Sequence, residues 1–324
     1  MTAIIVLNWN GASDTICCLS SLKEAEGDFL IIVADNGSTD NSVEKISLWC
    51  ENNDIKICVV DENHQVTPDL PDSEVYLLKM KENYGFAKGN NKALSFAKSF
   101  DPDTYLLLNN DTEVLPDFLT KLKCFSEKNP KYRVLTPKIC YFNDKKRIWN
   151  CGGRMFLAGR RYHYAKKLES EIKEKEKIEI SFVTGCALFF YPELLDAEKR
   201  LFTERFFFGE EDFEFSIRMK RGKIPMACVL SSKIYHKVSA TGDKMNGLGR
   251  LHVHYLNRTI NIRQNYSPSF FVLWKFLNFP IMTRYFYNAT KSLSKTIKII
   301  KDIYKEAGSA DGVSKERFLE LVNS

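Results

Sequence analysis

Residues 1–139 alternate short apolar runs with longer amphipathic ones, and most of the apolar runs stop on a cluster of Asn, Asp and Gly. Few folds accommodate that pattern. Runs of five to seven mostly aliphatic residues without helical spacing read as buried strands, here at Ala3–Leu7, Phe29–Ala34, Ile55–Val60, Val75–Lys79, Tyr105–Asn109 and Arg133–Ile139. Helices are expected between them at about Ala12–Ala25 (capped near Ser13 or Asp14), Asn41–Glu51, from the Asn83–Ala87 cluster to about Ser99, and Asp117–Lys128. Such alternation gives a largely parallel sheet with helices on both faces, an α/β fold. At 324 residues the chain is long enough for one large or two ordinary domains.

In an open α/β sheet, ligands bind beyond the carboxyl ends of the strands, near the point where strand order reverses. Three polar clusters fall at such ends, Asn8–Gly11, Asp35–Asp40 and Asn109–Glu113, and Asn83–Ala87 follows a strand closely. Asp35 is placed to accept a hydrogen bond from a base imide or a ribose hydroxyl, or else is a turn residue. Asp111, with an amide two residues before it, can hold a divalent cation through oxygen ligands. Its other reading is an Asx turn leading into the helix at Asp117. No GxGxxG and no GxxxxGK[ST] is present, which removes the common dinucleotide and P-loop fingerprints.

Composition excludes several classes. With 44% hydrophobic and 27% charged residues the chain is globular, and a net charge of +6 does not by itself call for nucleic acid. Nine cysteines show no CxxC pair and no regular spacing, as expected for reduced thiols in a cytosolic protein. The first residues enter a strand directly, without a basic region or cleavage site, so no signal peptide is expected. Asp61–Asp72 reads as a polar loop with two prolines.

The second half is less regular. Trp149–Gly153 reads as an edge strand with a Gly-Gly bend, and the mixed-charge run Lys166–Lys177 as a solvated helix or mobile loop. Gly185, inside the apolar run Ser181–Tyr191, signals close approach by a ligand or by backbone, or equally tight packing in the core. Glu210, Glu211, Asp212 and Glu214 open a helix directly after Phe206–Phe208. Burial against aromatics raises a carboxylate pKa towards useful base character, and a nearby cation lowers it. Asp212 is the candidate general base and Glu211 its helper. His236 follows the apolar segment Ala227–Leu230; taken alone, such a histidine is more often structural than a ligand. His252 and His254 are expected to be structural or interfacial.

Seven segments in register resemble one family, the inverting, nucleotide-sugar-dependent GT-A glycosyltransferases of family 2, in particular the rhamnosyltransferase-like and galactofuranosyltransferase-like branch. They are VLNWNG at 6–11, VADNGSTDNS at 33–42, NYGFAKGNN at 83–91, LLLNNDTEV at 106–114, TGCALFF at 184–190, GEEDFEFSIR at 209–218 and IYHKVSAT at 234–241. The resemblance implies a GT-A fold, a Rossmann-like and mostly parallel sheet flanked by helices, followed by a helical extension. It places the nucleotide sugar against Leu7, Asn8, Asn10, Asp35, Asn36, Asn83, Gly85, Phe86, Asn90, Asn109, Asn110 and Gly185. It makes Asp111 and His236 ligands of Mg²⁺ or Mn²⁺, and Asp212, with Glu211, the base that deprotonates the acceptor. Asn109 stands where the strict Asp-x-Asp metal motif has its first carboxylate. The implied organisation is a catalytic domain over 1–265, with a donor half at 1–139 and an acceptor and catalytic half at 140–265, then an extension over 266–324.

The implied reaction moves a sugar from a dTDP-rhamnose or UDP-hexose type donor to a glycan or lipid-linked acceptor in cell-surface polysaccharide synthesis. A sugar nucleotidyltransferase, or a module that binds nucleotide or carbohydrate without turnover, is the competing reading. The nucleotidyltransferase needs a glycine-rich basic N-terminal loop that Asn8–Gly11 lacks. Between Ser267 and Lys305 the character changes: eight aromatics lie between Phe270 and Tyr287, and the only acid is Asp302. The uncharged part, Phe276–Thr283, is too short to span a bilayer. A contact with a membrane surface or a second subunit is expected there, with the protein cytoplasmic or peripheral on the cytoplasmic face of the inner membrane.

Overall fold

A computed structural model describes residues 1–63, 72–156, 159–198, 200–238 and 247–323. Most of the expected Asp61–Asp72 loop, and Ser239–Thr241 of the IYHKVSAT segment, lie outside the described residues. The first half follows the expected alternation: β1 (Thr2–Asn8), α1 (Ala12–Lys23), β2 (Phe29–Asp35), α2 (Ser42–Asn52), β3 (Ile57–Asp61), β4 (Val75–Lys79), α3 (Gly85–Ala97) and β5 (Thr104–Asn109). Next come β6 (Thr112–Val114), α4 (Phe118–Lys128), β7 (Val134–Tyr141), β8 (Ile148–Asn150), β9 (Gly153–Phe156), β10 (Gly159–Tyr162), β11 (Lys177–Ile180) and β12 (Ala187–Phe190). The chain ends with α5 (Glu211–Arg221), β13 (Met226–His236), α6 (Gly247–Asn265), α7 (Pro268–Thr290), α8 (Leu293–Ser309) and α9 (Lys315–Asn323).

One sheet runs through both halves in the order β11-β13-β7-β12-β5-β1-β2-β4-β3. From β1 the chain moves outwards through β2 to β4 and β3, then crosses back to place β5 on the other side of β1. The order therefore reverses between β1 and β5, and the crevice beyond their carboxyl ends is the topological switch point. β1 pairs in parallel with both β2 and β5, while β12 runs antiparallel between β5 and β7.

Continuous apolar strands arise because both faces are covered. Ala3 and Ile5 of β1 pack on the face holding α3, whereas Ile4 and Val6 pack on the face holding α1, α2 and α4. The same alternation divides Tyr105 and Leu107 from Leu106 and Leu108. Burying such side chains stabilises the fold by roughly 1.5–3 kcal/mol each.

Four local expectations are corrected. α1 has Gly11 at its N-cap without a side-chain cap, because Asp14 is drawn instead into an ion pair with Lys237 at 2.7 Å. Lys166–Lys177 is neither a free helix nor solvent-facing throughout: Glu169 grips Lys138 at 2.9 Å and Lys233 at 2.8 Å, fastening the run to the sheet. The segment expected at Ala227–Leu230 is the front of an 11-residue strand, lengthened by pairing with β7 and β6 across a bulge. Trp149–Gly153 divides into β8 and β9 around Gly152, whose φ of 70° makes the bend.

Candidate active site

Asn8 ends β1 beside Asp35 at the end of β2, in register. Both are buried, and the Asn8 amide donates to Asp35 Oδ1 at 2.7 Å. The Thr15 hydroxyl donates to Asn8 Oδ1 at 2.8 Å, and the Ser38 amide to Asp35 Oδ2 at 3.0 Å. Leu7, half-buried, precedes Asn8 on the strand. Asn10, at φ 48°, accepts from the Thr39 amide at 2.8 Å and closes one turn over the next. An open cavity of about 660 Å³ begins at Asp35 and runs along Gly37, Ser38, Asp40 and Lys79.

Asn36 acts on the neighbouring turn. Its amide donates to Asn83 Oδ1 at 3.0 Å and to the Gly85 carbonyl at 3.1 Å, and its oxygen accepts from the Tyr84 amide at 3.0 Å. Gly85 adopts φ 80°, and a Cβ there would overlap the Phe207 carbonyl. Phe86 donates its amide to that same carbonyl at 3.1 Å. The Phe86 ring edge lies where a Cβ on Gly185 would sit, so the glycine signal at 185 marks close side-chain packing. Asn90 donates to the Phe86 carbonyl at 2.8 Å within α3. Asn91, which sequence reasoning did not single out, binds the loop Leu201–Glu204 through both ends of its amide.

Beyond β5, Asn109 donates its amide to the Cys186 carbonyl at 2.8 Å, bringing the Thr184–Cys186 segment alongside. Asn110 turns towards α1, donating to Thr15 Oγ1 at 3.1 Å. Asp111 meets His236, at the end of β13, with 3.0 Å between Oδ1 and Nε2. The other ring nitrogen, His236 Nδ1, is buried without a hydrogen-bond partner. Burial opposes protonation of His236, yet Cys186 and Asp111 raise its pKa to about 10. Trp149 packs edge-on against the imidazole at 4.4 Å. The pair offers one carboxylate and one imidazole, ligand types that suit a divalent cation. Among the described residues no group of three or more His, Cys, Asp and Glu converges.

The acidic cluster sorts by partner. Glu210 has φ 73°, a left-handed conformation rare for a non-glycine residue. It is held there by Arg258, which pairs with both carboxylate oxygens, by Arg160 at 3.0 Å, and by His254 at 3.2 Å. The Asn261 amide donates to its carbonyl at 3.0 Å. Burial alone would raise Glu210, but Arg258 and Arg160 hold it well below the usual carboxylate range. Glu210 is thus a permanent anion that fixes the turn into α5, and His254 belongs to the site's wall.

Glu211 and Asp212 follow on the first turn of α5. Burial, then the charge of Asp212, pushes Glu211 up to about 8, and its Oε2 has no hydrogen-bond partner. Burial also raises Asp212, opposed by Arg160, whose Nη1 is 3.8 Å from Oδ1. Glu211 therefore holds its proton more readily than an ordinary carboxyl, and the guanidinium favours charge on Asp212. Ser216 accepts from the Val183 amide at 3.2 Å and donates to the Asp212 carbonyl at 2.7 Å, tying the carboxylates to the segment that carries Gly185. Arg160 and Arg258 were not legible as partners, since they lie 50 and 48 residues from Glu210 with no motif joining them.

Three solved structures share this fold at low identity. Staphylococcus aureus TarS (residues 1–349) matches with TM-score 0.57 at 14% identity, over 99% of this chain and 83% of that one. The Pyrobaculum calidifontis mannosyltransferase PcManGT, in complex with GDP-Man and Mn²⁺, matches with TM-score 0.52 at 15% identity, over 99% and 78%. GalNAc-T7 with UDP, GalNAc and Mn²⁺ matches with TM-score 0.60 at 12% identity; this chain is covered to 95%, that one to 55%. No curated protein matches in sequence. The family model described as glycosyl transferase family 2 matches residues 3–197, from β1 past Gly185, and stops short of α5 and His236. That match takes in more than half of the chain, including every strand end around the crevice: the chain belongs to glycosyl transferase family 2, a glycosyltransferase on a GT-A scaffold.

Proposed function

We propose that the protein is an inverting glycosyltransferase, taking a sugar from a dTDP-rhamnose or UDP-hexose type donor to a hydroxyl of a glycan or lipid-linked acceptor. The observation that carries this reading is the Asp111–His236 ion pair beyond the end of β5, together with the Glu211 and Asp212 carboxyls on the first turn of α5. Asp35, oriented by Asn8 and Ser38, receives the base; the turn Asn83–Phe86 and Gly185 border the sugar. Residues 1–139 form the donor half, 140–265 the acceptor half, and 266–324 the extension.

Asp111 and His236 would hold Mg²⁺ or Mn²⁺, which when bound neutralises the leaving diphosphate as a Lewis acid. Both PcManGT and GalNAc-T7 were solved with Mn²⁺ and a nucleotide ligand, which supports that choice. Asp212 accepts the acceptor's proton as its oxygen bonds to the anomeric carbon, and the bond to the diphosphate oxygen breaks on the opposite side. One displacement inverts the centre, and no covalent nucleophile is required. Glu211, holding a proton near neutrality, orients the acceptor or Asp212 without competing for the proton. Arg160 opposes the upward shift that burial imposes on Asp212.

Nucleoside diphosphate release across a panel of sugar donors and acceptors tests the reading. In Asp212→Asn, turnover should fall about 10²–10⁴-fold while nucleotide affinity stays within twofold. Unchanged turnover would remove Asp212 as base.

A further inference from the structure

Helix α7 reverses the usual amphipathic arrangement. Its inward stripe, Trp274, Asn278, Met282 and Phe286, is buried against α6 and α8. A surface helix then shows polar residues outwards. Here the outward face carries Val272, Leu273, Phe276, Leu277, Phe279 and Tyr285, all exposed, with Phe276 74% accessible. An apolar patch of this kind on a monomer marks an interaction site. Among the described residues no helix is long and apolar enough to cross a membrane, so this one does not span.

The charge beside the patch selects its occupant. Between Ser267 and Lys305 there are seven Lys and Arg residues and one acid, so this stretch carries the whole chain's +6 while the other residues balance at 40 bases and 40 acids. α8 runs antiparallel along α7, with the Tyr304 hydroxyl donating to the Lys275 carbonyl at 3.1 Å. Its buried stripe is Thr296, Ile300, Ile303 and Ala307. Lys298, Lys301 and Lys305 share an exposed face away from that stripe, and Lys295 continues the row. A second copy docking here would bring one basic surface towards another. An anionic lipid surface matches both features: it takes aromatic and aliphatic side chains into the acyl boundary and lysine heads at the phosphates.

We infer that the outer face of α7 and the lysine row of α8 dock the enzyme on an anionic membrane surface. The platform is joined to the chemistry by α6. That helix presents Asn257, Arg258 and Asn261 to the Phe208–Glu210 turn and packs Tyr255 against Met282 and Phe286. Docking would therefore hold the carboxylates of α5 at a fixed height above the lipid. The inference stands on this surface alone and does not require the donor assignment.

Co-flotation of the full chain with phosphatidylcholine vesicles, with and without 30% phosphatidylglycerol, tests it directly. The chain should bind the anionic vesicles at least tenfold more strongly than neutral ones, and 1 M salt should release it. The double variant Phe276→Ser/Leu277→Ser and the triple variant Lys298→Gln/Lys301→Gln/Lys305→Gln should each lose at least tenfold in binding with an unchanged melting temperature. Failure of the wild-type chain to float with anionic vesicles overturns the inference. So does a concentration-dependent dimer, seen by ultracentrifugation, that Phe276→Ser/Leu277→Ser disperses, since a second copy then covers the face.

Discussion

A buried glutamate in left-handed conformation is costly on two counts, and Glu210 persists because its surroundings over-determine it. Arg258 lies over the Phe213 ring at 3.6 Å while pairing with the carboxylate, and Arg160 reaches the same group from β10. Removing either cation would leave a buried charge short of a partner. Glu211 is the opposite case, a carboxyl that holds its proton because burial and the charge of Asp212 disfavour its ionised form. Its folded pKa of about 8 lies above the ordinary 4.5, so between those values the native chain binds a proton that the unfolded chain has lost. Stability from this group is full below about 4.5 and falls as pH rises towards 8, by at most about 1.4 kcal/mol per pH unit. Glu211→Gln, neutral at every pH, should be more stable than wild type at pH 8 relative to pH 5 in paired thermal melts. Parallel pH profiles for the two proteins would refute the assignment.

At the scale of elements, the site depends on turns touching backbone to backbone. The turn before α3 and the loop before α5 meet at Gly85 and Phe207, and the same loop is backed by the C-terminal segment. Phe207 donates its amide to the Val313 carbonyl at 2.9 Å, and Phe318 of α9 packs on the Phe207 ring at 5.1 Å. Gly85→Ala adds a Cβ into a carbonyl at φ 80°, and we expect a loss of about 2 kcal/mol or more in urea unfolding. An unchanged midpoint would show that the turn relaxes freely. The strands of the first half were legible because two-sided burial writes an uninterrupted apolar run, and the strand ends because Asn, Asp and Gly gather where strands stop. β6 was not, since three residues, Thr112–Val114, carry no period and owe their pairing to β13. The arginine partners of Glu210 were hidden for the same reason: ion pairing across distant elements leaves no local trace. Lys166–Lys177 looked solvated by composition, but one of its acids, Glu169, has two fixed lysine partners.

For the whole molecule, the Asp35 cavity at the end of β2 and the Asp111–His236 pair at the ends of β5 and β13 lie on the carboxyl edge of the sheet, and α6 and α9 pack behind the loop that leads into α5. In the proposed reading, donor recognition, charge neutralisation and proton removal fall to successive stretches of chain. The organisation depends on one claim, that the edge binds a nucleoside diphosphate with a divalent cation held by Asp111 and His236. Calorimetric titration of UDP, dTDP and GDP into the purified chain, with and without Mn²⁺, tests it most directly. The account predicts binding of UDP or dTDP in preference to GDP, dependent on Mn²⁺. Absence of binding by every nucleotide, with the ion present, would contradict it.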